Sequence, residues 1–119
     1  MARQEEDLDD FGRFAEPALM ILISLADGEK HGYAIIKEVA RRTDGKVELR
    51  AGTLYAVIKR FLDAGLIAES ASRPDPALDD ERRRYYRMTE RGRAVAVAEA
   101  DRLTETLAQA RTKLSMRKA

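Results

Sequence analysis

The feature that most constrains this chain is a change of hydrophobic period at Gly65. Before it, between Ala51 and Gly65, Leu54, Val57, Ile58, Phe61 and Leu62 recur at helical spacing and mark the inward side of a short helix. Gly52, Tyr55, Ala56, Lys59 and Asp63 fall on the opposite side. After it, Leu66-Ile67-Ala68-Glu69-Ser70 alternates as a strand does, Arg73 to Asp80 carries the prolines and aspartates of a loop, and Arg82 to Thr89 reads as the return strand. Gly65 is therefore the expected helix stop. Beyond it the chain forms a hairpin with a long tip.

In the return strand Arg84, Tyr86 and Met88 share one face, and Arg83, Tyr85 and Arg87 share the other. Met88 is the most apolar of the six and adjoins the last helix, which predicts Tyr86 and Met88 inward and Arg83, Tyr85 and Arg87 outward. Thr89 is a good N-cap for a final helix running from about Glu90 into the low 110s. Gly92 stands where a capping box has Glu or Gln, so half of that motif is present. Further along, Ala96, Ala100, Leu103, Leu107, Ala110 and Leu114 follow the a/d spacing of a helix pair. The seam is short, with fewer than three heptads, so a partner helix needs the first helix to join the interface.

Upstream, the first helix is expected to start near Ala15 or Glu16, with Pro17 in its first turn, and to end at Asp27-Gly28. Leu19, Met20, Ile21, Leu22, Ile23 and Leu25 leave it almost no polar face, so it must be covered on more than one side. In a domain of this size, one side meets the chain's own core and the other a second subunit. Leu19, Leu22 and Ile23 are the candidates for that second role.

The second helix opens at His31-Gly32-Tyr33 and runs to Arg42, burying Ile35, Ile36 and Val39 and presenting Lys37 and Arg41 outward. Glu38 and Arg42 form an i, i+4 pair worth about a few tenths of a kcal/mol. Thr43-Asp44-Gly45 breaks the helix, and Val47-Glu48-Leu49 alternates as a short extended segment.

The 119 residues fit one domain with a modest core. With 22 basic and 21 acidic residues the net charge is +1, so an electrostatic footprint on a polyanion must be local. It concentrates in Glu81 to Arg91, which holds five arginines against two glutamates. The absence of cysteine excludes a disulfide scaffold, a thiolate metal site and a cysteine nucleophile, and suits a reducing compartment. The longest apolar run, Pro17 to Ala26, is far shorter than the roughly 20 residues of a membrane-spanning helix. Acidic Glu5, Glu6, Asp7, Asp9 and Asp10 precede that run where a signal peptide needs basic residues. The expectation is a soluble, cytoplasmic protein.

Three helices, a hairpin and a long helix form a mainly α layout with a small β-hairpin: a winged helix-turn-helix plus a C-terminal dimerisation helix. The division is an acidic flexible arm over 1–14, a DNA-binding domain over 15–89, and the dimerisation helix with a basic tail over 90–119. The arm carries almost no apolar side chains to offset the entropy of ordering. It is either a solubilising tail or a segment that docks on a partner subunit or screens a basic surface.

Four separate motifs then carry a resemblance: His31-Gly32-Tyr33-Ala34-Ile35; Gly52-Thr53-Leu54-Tyr55 with Lys59-Arg60; Gly65-Leu66-Ile67; and Arg84-Tyr85-Tyr86-Arg87-Met88-Thr89-Glu90-Arg91-Gly92-Arg93. In order and spacing they resemble the PadR family of transcriptional regulators over roughly Ala18 to Arg93, in its short branch with one terminal helix. Ala51 and Ala56 stand where such proteins often have prolines. The resemblance implies a homodimeric repressor that binds an inverted repeat in double-stranded DNA near its own or a neighbouring gene. Some relatives respond to phenolic acids or to drugs, the latter by stacking on a tryptophan. This chain has no tryptophan, so that mode does not carry over.

On the residues themselves, Thr53, Tyr55 and Lys59, with Gly52 giving close approach, are expected to meet bases or flanking phosphates. Tyr33 and Lys37 would hold the backbone across the groove, and Arg82, Arg83 and Arg84 would reach the adjacent minor groove or its phosphates. Arg60, next to Lys59, points elsewhere and suits a surface ion pair.

No catalytic set, cofactor or metal site is expected: His31 is the only histidine and reads as a helix-start residue, and no Gly-rich phosphate loop is present. The alternative to a DNA-binding regulator is a winged-helix protein-interaction module that has given up DNA, which the near-neutral charge keeps open. A small effector lodged between the first and last helices would add to the first reading.

Overall fold

The computed structural model describes residues 16–70 and 84–116. In chain order its elements are α1 (Glu16–Ile23), β1 (Lys30–His31), α2 (Gly32–Arg42), α3 (Ala51–Ala64), β2 (Ile67–Glu69), β3 (Tyr85–Met88) and α4 (Glu90–Ser115). The acidic arm, the loop from Arg73 to Asp80, Arg82, Arg83 and the tail beyond Met116 lie outside the described residues.

The strands form one antiparallel sheet of order β1-β3-β2. Tyr86 faces Lys30 on one side and Glu69 on the other, while Met88 faces Ile67. The strand β1 is absent from the sequence expectations, because two residues are too few to display a period. It makes β3 the central strand of a three-stranded sheet instead of the free arm of a hairpin.

The core gathers Ile21, Leu22 and Leu25 within and after α1, Ile35 and Val39 from α2, Leu54, Ile58 and Phe61 from α3, and Leu66, Ile67, Tyr86 and Ala96 from the sheet and α4. The apolar period of α3 is thus used as anticipated, except that Leu62, at the edge of that face, is exposed. Leu22 is fully buried in the chain's own core and Ala96 nearly so, which corrects their assignment to a subunit interface. A helix apolar all round cannot announce which side its own domain will take.

Several boundaries differ from the sequence expectations. The helix α1 ends at Ile23, four residues before Asp27. There the Ser24 hydroxyl donates to the Ile21 carbonyl at 2.7 Å, and the N–H groups of Leu25 and Ala26 bond three residues back, so the chain tightens out of α geometry. Val47 to Leu49 has no strand partner among the described residues. Leu49 is simply buried, while the Val47 N–H donates to the Thr43 hydroxyl at 3.0 Å.

The Glu38–Arg42 pair is also more than a surface pair. Glu38 is buried, and its carboxylate meets Arg42 Nε at 3.0 Å and Lys30 Nζ at 3.6 Å. Because Lys30 also donates to the Ser24 carbonyl and to Asp27, both at 2.7 Å, this cluster joins the end of α1, β1 and α2. The Lys30 hydrogen bond holds the Asp27 carboxyl below its ordinary value.

Candidate nucleic-acid interface

Each helix of the helix-turn-helix starts in its own way. His31 caps α2, its Nδ1 accepting from the Ala34 N–H at 3.1 Å, as expected of a helix-start residue. The helix α3 begins after Arg50, an exposed basic residue with no side-chain cap bond. Sequence reasoning passed over Arg50. The signal was a cation where Ser, Thr, Asp or Asn would ordinarily stand, at the positive end of a helix dipole.

The outward side of α3 carries Gly52, Thr53, Tyr55 and Lys59, all exposed. Lys59 Nζ lies 3.5 Å from Asp63 Oδ2, with both side chains largely in water, so its charge is only partly offset. Tyr55 is different in kind. It is 40% exposed, and a Cβ placed on Gly32 would fall 2.5 Å from its hydroxyl, so the ring tip rests on the first residue of α2. Glycine at position 32 is what allows the two helices to meet there.

On α2, Tyr33 is 63% exposed, and Lys37 Nζ sits 5.3 Å from its ring centre. The cation over the ring face holds two polar tips on one side of the helix. In the sheet, Arg84 and Arg87 are exposed, and Arg84 Nη1 lies 3.5 Å from Glu69 on β2. Tyr85, expected to face out, is half-buried instead. Its ring meets His31 edge-on with centres 5.3 Å apart, because β1 occupies that side of β3. Tyr86 is buried as expected, and burial, with Tyr55 and Glu69 adding, pushes its phenol above the ordinary value.

The expected DNA-facing residues thus lie exposed on α2, α3 and the hairpin base, with Arg82 and Arg83 outside the described residues. Of the expected dimer residues, Ile23, Ala100, Leu107 and Leu114 are exposed, and Leu19, Leu103 and Ala110 are half-buried. Leu22 and Ala96 are withdrawn into the core. Among the described residues no cluster of His, Cys, Asp and Glu could hold a metal, and no helix is long and apolar enough to cross a membrane.

Comparison with known proteins places this geometry. The family model of PadR-like transcriptional regulators matches residues 21–98. A protein of Lysinibacillus sphaericus, itself uncharacterized, is 33% identical over 75 residues, which span 63% of this chain and 66% of that relative. Among solved structures, a PadR family transcription regulator from Clostridium difficile superposes with a TM-score of 0.69 at 24% identity, covering 84% of this chain and 99% of that one. A PadR family transcriptional regulator from Eggerthella lenta is 25% identical with a TM-score of 0.60, covering 82% of each chain. RosR of H. salinarum is 25% identical with a TM-score of 0.62, covering 84% of this chain and 80% of that one. With the family model matching well over half its length, this chain belongs to the PadR-like family of DNA-binding transcriptional regulators and is not an enzyme.

Proposed function

We propose that the protein is a cytoplasmic homodimeric repressor that binds an inverted-repeat operator and is released by a small molecule or another signal. The observation that carries this reading is the shared exposure of Thr53 and Lys59 on α3, Tyr33 and Lys37 on α2, and Arg84 on the hairpin. In this reading α3 enters the major groove with Gly52 and Thr53 leading, and Tyr55 contributes a ring edge at the groove wall. Tyr33 and Lys37 hold phosphates across the groove, while Arg82, Arg83 and Arg84 reach the adjacent minor groove or its backbone. The dimer forms through α4 and α1, with Leu107, Leu114 and Ile23 as the exposed apolar contacts. An effector would act between those two helices.

A gel shift with the DNA upstream of the protein's own gene tests the proposal. If about six phosphates are neutralised per dimer, log K against log salt has a slope of about −5. An affinity independent of salt would overturn the groove-and-wing mechanism. Failure to bind that DNA and a genomic fragment library would favour the protein-interaction module. Sedimentation at micromolar concentration tests the dimer, and ligands found by thermal shift count as effectors only if they change DNA affinity.

A further inference from the structure

The reading helix and the long helix share one hydrogen-bonded corner. The helix α3 ends in a Schellman turn: Gly65 adopts φ +76°, its N–H donates to the Leu62 carbonyl at 3.1 Å, and the Leu66 N–H donates to the Phe61 carbonyl at 2.9 Å. The carbonyls of Gly65 and Leu66 then turn to the start of α4. There the Thr89 hydroxyl shares its proton between Gly65 O at 2.7 Å and Leu66 O at 3.0 Å, and the Thr89 N–H donates to Leu66 O at 3.1 Å. The same hydroxyl accepts from the Gly92 N–H at 3.0 Å, capping α4.

Gly92 completes the corner by lacking a side chain. A Cβ there would collide with the Leu66 carbonyl oxygen, which explains why the capping-box position holds no Glu or Gln. The turn that ends α3, at Gly65 and Leu66, is therefore packed directly on the first turn of α4. A second tether lies beside it, where Arg93 Nη2 donates to the Ala26 carbonyl at 2.8 Å.

The geometry points to this corner as the element that selects the spacing between DNA half-sites. This rests on the dimeric reading above. If two chains pair through the exposed far half of α4 together with α1, the direction in which α4 leaves the end of α3, with the Arg93 tether to the end of α1, sets the distance and angle between the two reading helices. Half-site spacing in a dimeric helix-turn-helix protein derives from that separation. A single base-pair step both rotates and translates one half-site, so a rigid corner tolerates few spacings and a loosened one tolerates several. Thr89 and Gly92 are positioning residues here. They need touch no base.

The test uses the full chain and duplexes carrying two copies of its selected half-site, with the separation varied in single base-pair steps. The wild type is expected to prefer one separation over its neighbours by about tenfold or more, the scale of one lost contact pair. Thr89→Val, which keeps the branched shape and removes the hydroxyl, and Gly92→Ala are expected to flatten that profile to within about threefold. Thr89→Ser restores it, and base preference inside each half-site stays unchanged. Should Gly92→Ala fail to fold, the Val and Ser variants at position 89 carry the comparison.

A Thr89→Val profile as sharp as the wild type's, or weakened by one common factor at every separation, would overturn the role of the corner alone. A wild type indifferent to separation would overturn it together with the dimeric reading.

Discussion

Within α4, Gly92, Ala96 and Glu99 are buried in the first half, whereas none of the residues from Leu103 to Ser115 is, and Leu107 and Leu114 stand 55% and 80% exposed. Both halves mix helix-favouring residues with poorer ones, Gly92 and two valines in the first and three threonines in the second, so propensity does not separate them. What separates them is cover. The first half packs on the core through Ala96 and is tied to the body by Thr89 and Arg93. The second half has apolar residues at a/d spacing, of which Leu107 and Leu114 are left uncovered by the described residues. One half of the helix completes a domain, and the other would complete the proposed dimer.

Matched substitutions along the helix sharpen this contrast. Ala96→Asp is expected to have the largest effect, destabilising the fold by about 3 kcal/mol or more by placing a carboxylate in the apolar core. A thermal melt monitored by circular dichroism measures it, and a midpoint close to the wild type's would show that the first half is not core. Arg102→Ala comes next. Its Nε and Nη2 donate to the Glu99 carboxylate at 2.8 and 2.7 Å, and Glu99 is only 1% exposed. The hydrogen bond to Glu99 raises the already high pKa of Arg102, so the guanidinium stays charged across the working pH range. The variant is expected to melt below the wild type and above Ala96→Asp.

Leu107→Asp is expected to disturb the folded body least, by within about 0.5 kcal/mol, because its side chain lies outside the core. It should nonetheless weaken self-association by about tenfold or more, read by sedimentation. If it unfolded the body while leaving the mass unchanged, the contrast between the halves would be reversed.

Much of the architecture was readable from local pattern. The change of period at Gly65, the Thr89 cap and the inward Tyr86 all come from rules that act within a few residues. The failures share a cause, since each depends on what packs against a residue from a distance. The Glu38–Arg42 pair was legible from its spacing, but the approach of Lys30 from β1 and the burial of Glu38 were not. Tyr85 was expected outward because β1 is too short to see, and Leu22 could not be told from Ile23 on a helix apolar all round. Of the candidate interface, the exposed set on α2 and α3 was legible. The contact of Tyr55 with Gly32 was not, because it belongs to the angle between two helices.

The pairing of β1 with β3 has a mechanical consequence. His31 at once pairs with Tyr85, meets its ring edge-on and caps α2. A load applied at the hairpin is therefore delivered to the first turn of α2, on which Tyr55 also rests. In the proposed DNA complex, the grip of the hairpin and that of the helix pair would therefore be coupled through His31. Their contributions to affinity should be non-additive in a double-mutant cycle.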